Sequence, residues 1–259
     1  MVRSNLIRGL YAGVASLIVC TGCSEGNADE PAPPRETVSE RPELVIFVYD
    51  RSTSIPDYQL NLAKELTDAR IDVLEHGDKI AALQVLQLSL AEPPERWSQT
   101  VPKKEWTDQE IARDSVTRSR FLRDAQAYLV AFTDTAGRDE IDGTDLLSTL
   151  HDVGAELRGA PAHEVTLYMF SDMLQSNRQI DMEGLRLMPP SGWIHNAASK
   201  GMLPDLKGLC VVVIGARVDN EHSQRVRKFW QEYFDVTGAS LSDQNYMHRP
   251  VKLPEHPCP

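Results

Sequence analysis

The sequence lacks the motifs that identify several common enzyme classes. Its seven His residues show no zinc-binding spacing such as His-Glu-x-x-His. Neither the Gly-x-Ser-x-Gly motif of a nucleophile elbow nor a phosphate-binding loop is present. The sequence therefore gives no reason to expect a zinc protease, a hydrolase of the nucleophile-elbow type or a P-loop NTPase.

The sequence also lacks an excess of basic residues. It has 27 Lys and Arg residues against 38 Asp and Glu residues, and its formal net charge is -11. Proteins that bind nucleic acid usually carry a basic patch that neutralises phosphates. The charge therefore argues against a nucleic-acid partner, while an acidic balance favours solubility and says little about the fold.

The N-terminal apolar segment, residues 9–19, is about half the length that a membrane-spanning helix needs. It follows Arg3 and Arg8 and ends just before Cys20-Thr-Gly-Cys23, an arrangement typical of a targeting segment. The small residues before Cys23 resemble the lipobox of bacterial lipoproteins, although Cys20 stands where that family usually has Leu.

The lipobox resemblance implies that residues 1–23 are a lipoprotein signal peptide and that Cys23 carries the lipid anchor. An ordinary signal peptide cut nearby is the alternative. Ser24 follows the cysteine, and in that family's sorting rule this favours the outer membrane of a double-membrane organism. We therefore expect a lipid-anchored protein of the cell envelope that faces the periplasm. Residues 24–42 are polar and Pro-rich, which predicts a disordered tether.

Cysteine is scarce, with four residues in the chain. If Cys20 leaves with the signal peptide and Cys23 carries lipid, an even pair remains, Cys210 and Cys258. In an oxidising compartment such a pair favours a disulfide. The alternative is a free core cysteine on a strand and a free thiol in the tail, because nothing local fixes the distance between the two.

Strand patterns alternate with helix patterns along the rest of the chain. Apolar runs predict four strands covered on both faces, at residues 44–50, 80–90, 165–172 and 209–215. Apolar residues at helical spacing predict helices at residues 57–74, 107–132, 144–157 and 222–236. We therefore predict an α/β fold with a doubly wound, mostly parallel sheet flanked by helices.

Two further segments complete the predicted organisation. Residues 96–101 follow a Pro-Pro turn and predict one antiparallel edge strand. The predicted domain covers residues 43–238, and residues 239–259 form a polar, Pro-rich C-terminal tail to which we assign no domain.

Five oxygen-bearing side chains follow the predicted strands at points where the sheet should bring them together. Asp50, Ser52 and Ser54 end the first strand, Thr144 lies on a loop that enters a helix, and Asp172 ends the third parallel strand. The carboxyl ends of parallel strands meet at one edge, where open α/β sheets bind ligands. Hard oxygen donors suit Mg²⁺, Mn²⁺ or Ca²⁺. The alternative is that they cap strand and helix ends without metal.

The order of these elements resembles the von Willebrand factor type A domain and its metal-ion-dependent adhesion site. That family has Asp-x-Ser-x-Ser, then a loop Thr, then a strand-terminal Asp. The helix start at residues 144–150 is also similar to the family's Thr-Asn-Thr-x-x-Ala-Leu, with Leu146 in place of the second Thr. The resemblance covers roughly residues 43–237. Its departures are the long connection at residues 176–201 and few small residues in the threonine helix.

The resemblance implies a role for each of the five side chains. Ser52, Ser54 and Thr144 would contact Mg²⁺ directly or through water, and Asp50 and Asp172 would act largely through water. Mg²⁺ prefers six oxygen ligands, so one position can accept an acidic side chain from a protein partner. We therefore expect a membrane-tethered binding module and no catalytic residues.

Two other functions stay open. A metal-dependent hydrolase, for example a phosphoesterase, would need a nucleophile or general base near the metal, and Arg51 and the acidic loop offer no convincing one. A metal-free scaffold within an envelope complex is the third possibility. Around the site, Trp193 is expected to pack in the fold, with His195 as a candidate for a binding rim. Four acidic residues near Thr144 are expected to form a solvated acidic loop, with tuning of the metal site as the alternative: Asp139, Glu140, Asp142 and Asp145.

Overall fold

The computed structural model describes residues 42–85, 96–102, 108–134, 143–160, 163–177, 180–183, 188–254 and 257–258. Within these residues the chain forms six strands and five α-helices. Their order is β1 (Glu43–Asp50), α1 (Asp57–Asp72), β2 (Lys79–Val85), β3 (Arg96–Thr100), α2 (Asp108–Thr133), α3 (Leu146–Arg158), β4 (Glu164–Phe170), α4 (Trp193–Ser199), β5 (Leu209–Ile214), α5 (Glu221–Thr237) and β6 (Tyr246–Met247).

The strands form one sheet in the order β3-β2-β1-β4-β5-β6. All neighbouring strands run parallel except β2 and β3, which pair antiparallel. The predicted fold class, a mostly parallel sheet flanked by helices with one antiparallel edge strand, is therefore confirmed.

The continuous apolar pattern of β1 has a direct cause in the packing. Leu44, Ile46 and Val48 point into a core that includes residues of α3, α4 and α5. The alternate residues, such as Phe47 and Tyr49, point into a second core with α1 and α2. Since successive strand side chains face opposite sides, a strand covered on both faces needs apolar residues at every position.

The strand order reverses between β1 and β4, which lie side by side in the centre of the sheet. Successive strands lead outward from β1 to β3 in one direction and from β4 to β6 in the other. The helices that follow β1 and β4 therefore diverge and leave a crevice at the carboxyl ends of these two strands. Asp50 is the last residue of β1, and Asp172 lies two residues beyond the end of β4.

The C-terminal region adds a strand that the sequence analysis did not predict. Tyr246 and Met247 form β6, which pairs in parallel with Val213 and Ile214 of β5. Two residues are too short a run for any periodic pattern to predict. In the structure Cys210 of β5 and Cys258 form a disulfide, with Cα atoms 5.8 Å apart.

Several predictions concern residues outside the described ranges. They are the signal peptide at residues 1–23 with its lipidated Cys23, the tether up to residue 41, and residues 86–90 of the second predicted strand. In the part of the chain that the structure describes, no helix is both long and apolar enough to cross a membrane.

Candidate metal site at the carboxyl edge of the sheet

Asp50 lies at the end of β1 and is fully buried. Its Oδ1 accepts a hydrogen bond from the backbone N–H of Ser52 at 2.9 Å, and its Oδ2 accepts one from the Ser171 hydroxyl at 2.7 Å. Donors from the ends of two neighbouring strands therefore fix the carboxylate in one orientation. A buried carboxylate needs such partners because desolvation of its charge is strongly unfavourable.

Ser52 and Ser54 connect this carboxylate to Asp172. The two serine hydroxyls are 3.0 Å apart, and the Ser54 hydroxyl also makes a hydrogen bond with the Asp172 carboxylate. Ser52 is buried, whereas Ser54 is exposed. The chain of contacts thus runs from the floor of the crevice to its surface.

Asp172 is strongly influenced by its surroundings. Burial and the nearby negative charge of Asp50 raise the pKa of Asp172 to about 7. The backbone N–H of Leu174, 3.0 Å from Oδ1, and the Ser54 hydroxyl oppose this increase by stabilising the carboxylate. Two carboxylates that repel each other in a desolvated crevice are the electrostatic setting in which a bound cation is stabilising.

The residue after Asp172 has an unusual backbone conformation. Met173 has φ of 66°, the only non-glycine residue with positive φ in the described part of the chain, and its side chain is fully buried. The indole N–H of Trp230 donates to its carbonyl at 2.8 Å, and its own N–H donates to the Ser171 hydroxyl at 2.9 Å. Left-handed backbone costs of order 1–3 kcal/mol and is often retained at functional sites. Here it turns the chain directly after the Asp172 carboxylate.

Thr144 is fully buried just before α3. Its backbone pairs in both directions with that of Ser176, four residues after Asp172, with N···O distances of 2.8 Å. Its hydroxyl has no hydrogen-bond partner among the described residues. Leaving a buried hydroxyl unpaired costs about 1–3 kcal/mol, so an oxygen-binding cation would satisfy this atom.

The structure therefore joins Asp50, Ser52, Ser54 and Asp172 into one group by hydrogen bonds and electrostatic interaction. It attaches Thr144 to the segment after Asp172 through the backbone. The donors are two carboxylates and three hydroxyls, which fit Mg²⁺, Mn²⁺ or Ca²⁺. Among the described residues there is no cluster of three or more His, Cys, Asp or Glu side chains suited to a metal ion. The two carboxylates alone therefore do not make a metal site, and a cation here would also need the hydroxyls of Ser52, Ser54 and Thr144.

The expectation that Asp145 belongs to a solvated acidic loop is wrong. Asp145 is 5% exposed and caps the N-terminus of α3. Its carboxylate accepts hydrogen bonds from the backbone N–H and the hydroxyl of Ser148, and from the side-chain amides of Gln175 and Asn177. The free N–H groups of a helix start need acceptors, which a buried Asp supplies. The other three acids of that loop, Asp139, Glu140 and Asp142, lie outside the described residues.

Trp193 and His195 differ in their surroundings, although both belong to α4. Trp193 packs on Phe229, with ring centroids 6.1 Å apart, as expected. His195 is exposed, and its Nε2 lies 3.4 Å from the Glu232 carboxylate. Neither residue lines the cleft beside Asp172. His195 therefore does not form the rim that the sequence suggested.

Sequence reasoning did not assign Ser171 and Met173 to this site. Ser171 had a weak signal, since a hydroxyl directly precedes the strand-terminal acid. Met173 had none, since no local pattern marks a methionine with positive φ, and Trp230, which donates to its carbonyl, lies 57 positions away.

A cleft of about 450 Å³ opens beside the group. Ser54 and Asp172 line it, and Arg217, His222 and Tyr246 are among its other lining residues. The charge of Asp172 contributes to a raised pKa of Tyr246, after the larger effect of burial, which places the phenol near the carboxylate.

No model of a known protein family matches the sequence, and no curated protein does. Among solved structures, the chain is similar to a von Willebrand factor type A protein from Catenulispora acidiphila, with 14% identity and a TM-score of 0.38 over 78% of this chain and 39% of that chain. It is also similar to proximal thread matrix protein 1 from the mussel byssus, with 14% identity and a TM-score of 0.34 over 76% and 48% of the two chains. This chain therefore matches less than half of either protein, and neither likeness bears on the site.

The raised pKa of Asp172 predicts how the metal-free protein responds to pH. Since its pKa is higher in the folded than in the unfolded state, metal-free stability should fall as pH rises from about 4 to about 7. Asp172→Asn removes this charge, so at neutral pH the metal-free variant should be more stable than wild type by a few kcal/mol. Urea unfolding in EDTA at several pH values measures this.

Asp205→Asn is a suitable control for that experiment, because Asp205 is exposed and accepts only a local hydrogen bond from the N–H of Lys207 among the described contacts. It should leave the pH profile unchanged. A wild-type profile that coincides with that of Asp172→Asn would contradict the prediction.

Proposed function

We propose that this chain is a membrane-tethered binding module that recognises a protein partner through a divalent cation. Asp50, Ser52, Ser54, Thr144 and Asp172 would hold the cation. The observation that carries the proposal is the buried Thr144 hydroxyl, which has no partner among the described residues. The Thr144 backbone pairs with that of Ser176, four residues after Asp172, whose carboxylate is repelled by that of Asp50. A cation would satisfy the hydroxyl and neutralise the carboxylates at once.

When bound, the cation would supply an electrophilic position for a carboxylate of the partner. The residues of this chain would hold the two carboxylates in place. The hydrogen bonds from Ser52 and Ser171 hold Asp50, and the Ser54 hydroxyl and the N–H of Leu174 hold Asp172. Neutral hydroxyls as the remaining donors leave the cation with positive charge to attract an acidic side chain. The exposed position of Ser54 supports access from the surface.

Tethering rests on the N-terminal sequence. A lipid on Cys23 and a polar segment of residues 24–42 would hold the domain off the membrane surface and let it reach partners in the envelope. A binding role fits this arrangement because the carboxyl edge of the sheet forms an open crevice, the usual location of ligand sites in this type of fold.

Thr144→Val tests the proposal with little disturbance of the fold. Valine keeps the shape of threonine and removes the hydroxyl, which has no partner among the described residues. Affinity capture from detergent-solubilised membranes should recover a partner in Mg²⁺, and recovery should fall at least about tenfold in EDTA or with Thr144→Val. Thr133→Val, at the exposed end of α2, is the matched control and should capture normally. Equal capture with and without EDTA would contradict a metal-dependent contact.

A further inference from the structure

The cleft beside the candidate metal site has buried polar atoms that lack a hydrogen-bond partner within the described part of the chain. Tyr246 is 5% exposed, and its hydroxyl has no hydrogen-bond partner among the described residues. The Nδ1 atom of His222 is likewise buried without a described partner. Both residues line the same cleft as Ser54 and Asp172. Unpaired buried polar atoms are rare in native proteins because each costs about 1–3 kcal/mol.

The chemistry of these two atoms is complementary. The Nε2 atom of His222 lies 2.7 Å from the carbonyl oxygen of Met182. Since a carbonyl only accepts, Nε2 carries a proton, and in the tautomer with this single proton Nδ1 is an acceptor. The phenol of Tyr246 is a donor. One donor and one acceptor match the C=O and N–H groups of a peptide main chain.

The rim of the cleft carries positive charge although the whole chain has a formal net charge of -11. Arg217 lines the cleft, is exposed and has no ion-pair partner among the described residues. The guanidinium of Arg249 lies 4.0 Å from the centroid of the Tyr58 ring, which also lines the cleft. A guanidinium binds carboxylates with two parallel hydrogen bonds, so this rim favours an anionic group.

From these observations we infer that the cleft binds a short extended segment of a partner protein that carries two acidic side chains within a few residues. This inference rests on the proposed function. The first acidic side chain would reach the cation held at Ser54 and Asp172, and the second would meet Arg217. The main chain between them would pair with Tyr246 and His222. The volume of about 450 Å³ suits a few residues and not a folded surface.

Synthetic peptides in a Gly-Ser background test this inference with the full-length protein in detergent. One fluorescent peptide carries two Asp residues, a second carries one Asp and one Asn, and a third carries two Asn. In Mg²⁺ the peptide with two Asp residues should bind about tenfold tighter than the peptide with one, as measured by fluorescence anisotropy. The peptide with two Asn residues should not bind.

Two variants and two controls test which residues of the cleft contribute to peptide affinity. Arg217→Gln should remove the difference between the peptides with two and one Asp. Arg225→Gln, on α5 outside this cleft, should preserve it. Tyr246→Phe removes only the hydroxyl and should weaken both Asp peptides severalfold, whereas Tyr128→Phe, a partly exposed residue stacked on Trp97, should not.

The outcomes separate this inference from the proposed function. If Mg²⁺ stabilises the protein but the second Asp adds no affinity, or Arg217→Gln behaves like Arg225→Gln, the inference is overturned and the metal site stands. Absence of any peptide binding despite stabilisation by Mg²⁺ also overturns it. If Mg²⁺ neither stabilises the protein nor changes peptide binding, the proposed function itself fails.

Discussion

Mg²⁺ should raise the melting temperature of the wild-type protein by about 5–10 °C when its concentration is about 100 times the dissociation constant. A ligand that binds only the folded state stabilises it by about 2.7 kcal/mol at that ratio. The increase should disappear in Asp50→Asn and in Asp172→Asn. Neutral oxygens attract a hard cation much less than carboxylates do, so neither variant retains enough charge at the site.

Asn is preferred to Ala in this experiment because of the contacts at Asp50. Its carboxylate accepts hydrogen bonds from Ser52 and Ser171 in a fully buried position. Removing both acceptor oxygens would leave buried donors unpaired and lower stability by about 1–3 kcal/mol without any metal effect. An amide keeps one acceptor oxygen, so the fold should survive.

Melting curves with and without Mg²⁺, Mn²⁺ and Ca²⁺ provide the measurement. Asp235→Asn, an exposed residue of α5, is the control and should respond to metal like wild type. A wild-type protein that ignores all three cations would speak against the site. Equal metal responses in wild type, Asp50→Asn and Asp172→Asn would show that the cation binds elsewhere.

Loss of the lipid anchor is expected to have the second large effect. With Cys23→Ser the protein should no longer incorporate labelled fatty acid, because a hydroxyl does not replace the thiol that the lipobox resemblance assigns as the acceptor. Most of the protein should then move from the membrane fraction to the soluble fraction, since a polar, Pro-rich segment has no apolar face with which to bind a bilayer. Fractionation and labelling in a host that processes lipoproteins measure the two effects.

Ser24→Ala is the matched control, because it changes the neighbouring residue and keeps Cys23. It should remain labelled and membrane-bound. A wild-type protein without label, or a Cys23→Ser variant with unchanged label, would refute lipidation at this residue. Labelled wild type together with membrane-bound, unlabelled Cys23→Ser would mean that a second element holds the protein at the membrane.

The sequence alone predicted the central sheet because its physical signal is local. An apolar side chain at every position of residues 44–49 is typical of a strand buried on both faces, and the structure confirms this for β1. Asp50, Ser52 and Ser54 were assigned to the carboxyl edge of the sheet for the same reason, since an abrupt change from apolar to polar residues marks the strand end. Because the carboxyl ends of parallel strands lie at one edge of the sheet, Asp172 was assigned to the same edge.

The tertiary structure decided the features that depend on contacts between distant residues. The role of Ser171 as a donor to Asp50, 121 positions away, follows from the pairing of β4 with β1. Asp145 looked like a solvent-exposed acid, yet the packing of α3 buries it as a helix cap. Tyr246 reaches the cleft because β6 pairs with β5. Such contacts depend on the free energy of the whole fold, and no local pattern of residues indicates them. Burial of a strand on both faces, in contrast, requires an apolar side chain at each position and is therefore visible in the local sequence.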